Sequence, residues 1–242
     1  MQRAASCRRL KKGAFHHVQV VIIERARSAR LIDAAPVAAV DATGLETRHI
    51  SEHFGKWRRN GKGSGHRQRA WPKLTAVLHT HLHLIIDAVT GIGPSQDTPD
   101  FTPALRQAAA IIALHMVLAD AGYDAEHNHR LCWDELGIER STIALNRRNT
   151  GRRWPKTPQR RALRQHCPRA LYHQRWHIES GFSQHKRRLG SALTARSHQS
   201  QRRELVLRVL THNLMILVSS GCLPPVARRG WQRPGARSIV GW

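Results

Sequence analysis

Acidic residues are scarce in this 242-residue chain: 16 Asp and Glu stand against 40 Lys and Arg, a formal charge of +24 before any of the 17 His is counted. A surplus of that size points to a polyanionic partner, drawn in through counterion release, and for such a protein the usual polyanion is nucleic acid. Cysteine is sparse too. Cys7, Cys132, Cys167 and Cys222 form no CxxC pair, which excludes zinc knuckles and dithiol redox motifs and leaves reduced thiols. No apolar run reaches the ~18 to 20 residues of a membrane span. The opening MQRAASCRRLKKGAF has neither the apolar stretch nor the small-residue cleavage site of a secretory signal. These absences predict a cytoplasmic protein without a membrane partner. The chain does hold 40% hydrophobic residues, with runs such as VAAV, LTAVL and IIALHMVLA, so it can bury a core and is not a disordered basic tail. Its length suits one globular domain with short appendages.

The charge is unevenly placed. Residues 1–36 hold eight cations and two carboxylates, 37–150 hold 13 and 12, 151–208 hold 15 and two, and 209–242 hold four and none. A nearly neutral core therefore wears a cationic face.

Residues 16–35 have mixed helical periodicity that Pro36 closes, so 1–36 reads as a short basic helical segment. Val37 to Val40, followed by Asp41-Ala-Thr-Gly44, reads as a buried strand ending at a turn. Residues 55–65 read as a flexible basic loop. Lys73 to Val89 is strand-type sequence that would extend ~56 Å at ~3.3 Å per residue, so it must fold back as a hairpin near His79 to His83. A loop over 91–103 leads to a helix around Ala104 to Ala113, then a strand from Met116 to Ala119 that ends in Asp120. A helix to about Leu136 and a short strand at Thr142 to Leu145 complete an alternation that predicts an α/β domain with a mixed sheet flanked by helices over 37–218. Residues 151–167 read as a basic linker carrying Arg152 and Arg153, and 219–242 as a Pro/Gly/Arg-rich disordered tail.

Pro168 and Gly190 bracket a helix of about 22 residues. Tyr172, Arg175, Glu179 and Lys186 lie in it at offsets of 0, 3, 7 and 14, which at ~100° per residue share an arc of ~60°. One helix face thus presents a phenol, two cations and the only carboxylate between Glu139 and Glu204. A plain i,i+4 ion pair between Arg175 and Glu179 would account for that carboxylate alone. Gly181 costs ~1 kcal/mol against Ala in a helix interior, which suggests close approach to a strand or to DNA. Asp41 and Asp120 end core strands, where α/β sheets build sites. A turn or cap role is open to Asp120, although Asp124 is the better cap candidate. A carboxylate beside a buried strand, as Asp41 is, must be paired, neutralised or bound to metal.

The run YHQRWHIESGFSQHK, Tyr172 to Lys186, meets every spacing of the Tyr-x2-Arg-x3-Glu-x6-Lys signature and resembles the DDE transposases of bacterial insertion sequences. Asp41 in VAAVDATGL and Asp120 in VLADAGYD resemble that family's first and second catalytic Asp, and the likeness spans about residues 37–218. It implies a ribonuclease H-like catalytic fold in which Asp41, Asp120 and Glu179 hold two Mg²⁺ ions, with Mn²⁺ as substitute. One ion would activate the attacking water or 3′-hydroxyl and the other the leaving 3′-oxygen at a DNA phosphodiester. Tyr172, Arg175 and Lys186, with Arg187, Arg188, Arg152 and Arg153, would hold double-stranded DNA, both the element's terminal repeats and the target, and a homodimer would bring two ends together in a synaptic complex. Only 59 positions separate Asp120 from Glu179, too few for the large all-β insertion of some relatives. With 40 residues before Asp41, terminal-repeat recognition would rest on the N-terminal helix, on a segment missing from this sequence, or on nothing in a truncated relic. The competing readings are a truncated relic, a non-catalytic basic nucleic-acid-binding protein, and a nuclease that cuts without joining. His79, His81 and His83 alternate like metal ligands, but a hairpin turn would break their alignment. Trp57, Trp154 and Trp231 sit in basic loops where an indole could stack on bases, whereas Trp71 and Trp133 read as core or edge residues.

Overall fold

The computed structural model describes residues 12–47, 70–146 and 154–223. Helix α1 (Lys12–Ser28) precedes strand β1 (Val37–Gly44), the short β2 (Glu46–Thr47), and β3 (Trp71–His79) with β4 (Ile85–Gly93). Then come α2 (Thr98–Ile111), β5 (Met116–Ala119), a 3-10 turn (Ala121–Tyr123), and α3 (Glu126–Arg130), which continues as a π-turn through Glu135. Strand β6 (Arg140–Ile143), α4 (Pro158–Gln165), α5 (Arg169–His173), α6 (Trp176–Leu189), β7 (Ala192–Leu193) and α7 (His198–Ser219) follow. None of these helices is long and apolar enough to cross a membrane.

Five strands form one mixed sheet in the order β4-β3-β1-β5-β6, with β4, β3 and β1 antiparallel and β1, β5 and β6 parallel. This is a mixed sheet flanked by helices, as expected from the sequence, and among the described residues β6 is the one strand between Asp120 and Glu179. Strand period 2 sorts the side chains. Ala39, Leu74, Ala76, Leu78 and Leu118 pack under α6 and α7 with Ile178, Phe182, Leu205 and Val209. Ala38, Val40, Val77, Val117 and Ala119 face the other way, onto α1 and α2 with Ile22, Ile23, Phe101 and Leu105. Edge strand β4 is covered by side chains: Asn213 of α7 accepts from the Ile85 amide at 2.9 Å and donates to its carbonyl at 2.7 Å, and Gln19 of α1 donates to Ile86 at 3.0 Å. These bonds occupy the start of the edge, where a stray strand would otherwise pair.

Several boundaries differ from the sequence reading. The hairpin turns at 80–84 as expected, but β1 runs on through Gly44, because Asp41 to Gly44 pair with Ala76 to Lys73; ladder partners override the local turn signal. Helix α2 starts at Thr98, six residues early, with a proline in its first turn. The segment read as a basic linker includes α4. Residues 55–65, Trp57, Arg152, Arg153, Trp231 and the tail from 224 lie outside the described residues. Gly181 serves a strand: a Cβ there would run into the Leu78 side chain of β3.

Burial leaves several imidazoles neutral. His185, between α6 and α7, has neither ring nitrogen hydrogen-bonded among the described residues, and burial with the neighbouring His212 lowers its pKa to about 4. His79, His83, His129, His177 and His212 are lowered too, each first by burial. A His depressed in the fold binds its proton more tightly when unfolded, so stability falls as pH drops from 6.5 through the folded value. Thermal melts are expected to show a clear loss between pH 6.5 and 4.5, and His185→Met to raise the melting temperature while reducing that slope. An unchanged slope in the variant would contradict the assignment.

Candidate active site

The sheet topology places two carboxylates side by side. Val40 of β1 is in register with Ala119 of parallel β5, so Asp41 and Asp120 are the next residues on adjacent strands, ~4.8 Å apart in the sheet direction. Each follows by two an inward residue of the α6 face, Ala39 and Leu118, and so points toward α6. Asp41 Oδ1 accepts the Ala42 amide at 2.7 Å, and Asp120 Oδ1 accepts the Gly122 amide at 2.8 Å, capping the 3-10 turn. Asp120, not Asp124, therefore takes the cap role. The Asp124 carboxylate is fully buried, bound by Arg160 of α4 at 2.8 and 2.9 Å and by the Asn146 amide at 2.8 Å.

The signature does not lie on one continuous helix. At Gln174 and Arg175 the chain tightens: the Arg175 amide bonds Tyr172 at 2.9 Å and the Ile178 amide bonds Arg175 at 3.1 Å, i→i+3 contacts that separate α5 from α6. Arg175 stands at this break. Its Nη2 donates to Glu179 Oε1 at 2.7 Å, its Nη1 lies 3.4 Å from Asp41 Oδ2, and its guanidinium lies 5.9 Å from the centre of the Tyr172 ring. Tyr172, Arg175, Glu179 and Asp41 are thus brought together, with Asp120 beside Asp41 across the sheet. Lys186, Arg187 and Arg188 occupy the last turn of α6, with Arg187 and Arg188 exposed. Lys186 is two turns beyond Glu179, ~10 Å along the axis.

The electrostatics follow from burial. Asp41, 18% exposed, is pushed up to about 6 by desolvation, then by the charge of Asp120, which together outweigh the Ala42 amide and Arg175. Asp97 adds to the negative field. It belongs to a cluster that sequence reasoning missed: Lys73, buried in β3, pairs with Asp97 at 2.6 Å and Asp100 at 2.9 Å, while Thr75 donates to Asp100. Lys73 shares a face of β3 with Thr75 and Val77, and nothing local marks its burial, because its partners are more than 20 residues away.

The donor set contains oxygen alone and a concentration of negative charge, which suits a hard divalent cation such as Mg²⁺ or Mn²⁺ rather than a soft one. Among the described residues, no three His, Cys, Asp or Glu side chains already stand as a chelating group; Arg175 sits between two of the carboxylates instead. The alternating His residues do not form a metal-ligand group among the described residues: His79 pairs with Asp33 at 3.2 Å, while His81 stacks on His177 and His83 Nε2 lies 3.2 Å from His177 Nδ1. Exposed Trp154 carries Arg164 over its ring at 5.1 Å. Trp71 is partly exposed and Trp133 packs against the core.

No curated protein matches the sequence. Among solved structures, the chain is similar to the catalytic core domain of BIV integrase, at 14% identity and a TM-score of 0.35, over 76% of this chain and 81% of that one. The transposase DDE domain family model matches residues 33–214, three quarters of the sequence, and the match contains Asp41, Asp120, Glu179 and the whole Tyr172 to Lys186 signature. The chain belongs to the transposase DDE domain family.

Proposed function

We propose that this protein cuts DNA at the ends of an insertion sequence and joins the freed ends to target DNA, with Asp41, Asp120 and Glu179 as its three metal-holding carboxylates. The observation that carries the proposal is the convergence of Asp41 and Asp120, from adjacent parallel strands, with Glu179, tied to Asp41 through Arg175. Bound Mg²⁺ ions would supply Lewis acidity at the scissile phosphodiester and a more acidic attacking water or 3′-hydroxyl.

The chain's own residues do the rest. Burial of Asp41 beside Asp120 builds a negative site that repels the phosphate until a cation lies between them. Arg175 and Lys186 bind the phosphates flanking the cleaved bond, and Tyr172 packs against the DNA end beside Arg175. Arg187 and Arg188 extend the phosphate-binding face, and Arg152 and Arg153 add cationic charge for the same backbone, holding the duplex without reading its sequence. Two copies on DNA would align two ends for joining.

Two substitutions test the division of labour. Asp120→Asn is expected to abolish Mg²⁺-dependent cleavage of end-containing DNA while keeping duplex affinity within about twofold, since a lost carboxylate removes chemistry and not a phosphate contact. Lys186→Ala is expected to weaken DNA binding and lower the slope of log affinity against log salt by about one. If Asp120→Asn lost binding in step with cleavage, or Lys186→Ala kept the wild-type slope, these roles would be wrong. A protein that binds DNA tightly and cleaves none would instead be a relic or a non-catalytic binder.

A further inference from the structure

Arg175 has two carboxylate partners where a surface ion pair needs one. An i,i+4 contact with Glu179 satisfies ordinary helix-face pairing, and a continuous helix would make it. Here the helix breaks at Arg175, and the guanidinium also reaches Asp41, 134 residues away in sequence, at 3.4 Å. It is only 21% exposed, whereas its partner Glu179 is 61% exposed. The fork of a guanidinium is suited to spanning two oxygen ligands, and it places a positive charge between the two acidic side chains that a divalent cation would use.

We propose that Arg175 is an internal counter-cation that occupies the acidic site in the free protein, competes with the divalent ion for Asp41 and Glu179, and is released to a DNA phosphate when that ion binds. This rests on the reading of Asp41, Asp120 and Glu179 as metal-holding carboxylates. In the exchange the carboxylates face arginine in the free protein and the ion in the complex, where arginine faces a phosphate instead. By linkage, the ion and the DNA then favour each other's binding through Arg175. An arginine committed to phosphate alone would have no reason to lie against Asp41 and would leave cation affinity unchanged when removed.

The test is Mn²⁺ binding to the full chain without DNA, followed by calorimetry and by the paramagnetic signal of free Mn²⁺, in the wild type, Arg175→Gln, Arg175→Lys and Asp41→Asn, with thermal melts to establish folding. Arg175→Gln is expected to bind Mn²⁺ about tenfold more tightly than the wild type, as removal of a competing, partly buried cation should give. Arg175→Lys, which keeps the charge but not the fork, should fall between them. The loss of DNA affinity caused by Arg175→Gln should be severalfold larger with Mn²⁺ than without metal, because in the metal-free wild type the guanidinium is still engaged with the carboxylates. Unchanged or weaker Mn²⁺ binding by both Arg175 variants would overturn the competition while leaving the metal site standing, provided Asp41→Asn still lost the ion. Mn²⁺ binding that survives Asp41→Asn unaltered would overturn the metal reading and the competition together.

Discussion

Asp41→Asn is expected to cut Mg²⁺-dependent strand transfer by about a thousandfold or more and, at the same time, to make the metal-free protein more stable at neutral pH. The first effect follows from losing a ligand to ions that contribute several kcal/mol to the transition state. The second follows from the acidity of Asp41. Its folded value of about 6 stands above the ordinary 3.8, so the folded state binds this proton more tightly than the unfolded chain does. The resulting penalty is absent below pH 3.8, grows as pH rises to about 6, and is complete above it. For a side chain 18% exposed, that difference corresponds to on the order of 3 kcal/mol. The gain is expected to be smaller, on the order of 1 to 2 kcal/mol, because the variant also weakens the contact with Arg175. Melts without added metal should show Asp41→Asn above the wild type at pH 7.5 and level with it at pH 3.5. A variant less stable at pH 7.5 would mean that Asp41 is an ordinary structural carboxylate. A site that is costly when empty is the stability–function exchange expected of a binding centre.

The largest structural effect is expected at Asp124. Its side chain is fully buried, with Arg160 bound to both oxygens and the Asn146 amide on one of them. Asp124→Ala would strand a guanidinium that is only 20% exposed and a backbone amide, a loss of ~3 to 5 kcal/mol, against the ~5 to 15 kcal/mol that holds a typical domain folded. The same pair ties α4 to the end of β5, next to the acidic site. Thermal or urea unfolding should therefore show a large loss for Asp124→Ala and a comparable one for Arg160→Ala, which leaves a fully buried carboxylate unpaired, and Asp124→Leu with Arg160→Leu should recover part of it. A double variant as weak as the sum of the two singles would show that the pair is not coupled.

The parts of this architecture set by local pattern were legible in the sequence. VAAV and MVLA are buried runs of strand length, and the hairpin followed from a strand-type segment too long to stay straight. Asp120 could be placed at a strand end because it directly follows such a run, whereas Asp41, which also follows one, lies within β1. What depends on distant partners was not legible. No Pro or Gly marks the break at Gln174 and Arg175, so periodicity alone extended the helix through it. The local Asp-Ala-Thr-Gly signal reads as a turn because Lys73 to Ala76, which hold those residues in the ladder, lie some 30 positions away. Arg160 finds Asp124 and Lys73 finds Asp97 and Asp100 across the fold, and spacing gives no hint of either. The same is true of the contact between Arg175 and Asp41, which joins the start of the signature helix to β1.

The central claim is that Asp41, Asp120 and Glu179 act together in DNA joining. It is tested most directly by Mg²⁺-dependent joining of a pre-cleaved oligonucleotide, carrying the ends that flank this gene, into plasmid DNA, with Glu179→Gln alongside. The account predicts joined product from the wild type and none from Glu179→Gln, with both proteins binding the oligonucleotide comparably. Equal joining by the two would contradict the role of Glu179, and tight, salt-sensitive binding without joining by the wild type would contradict the activity itself.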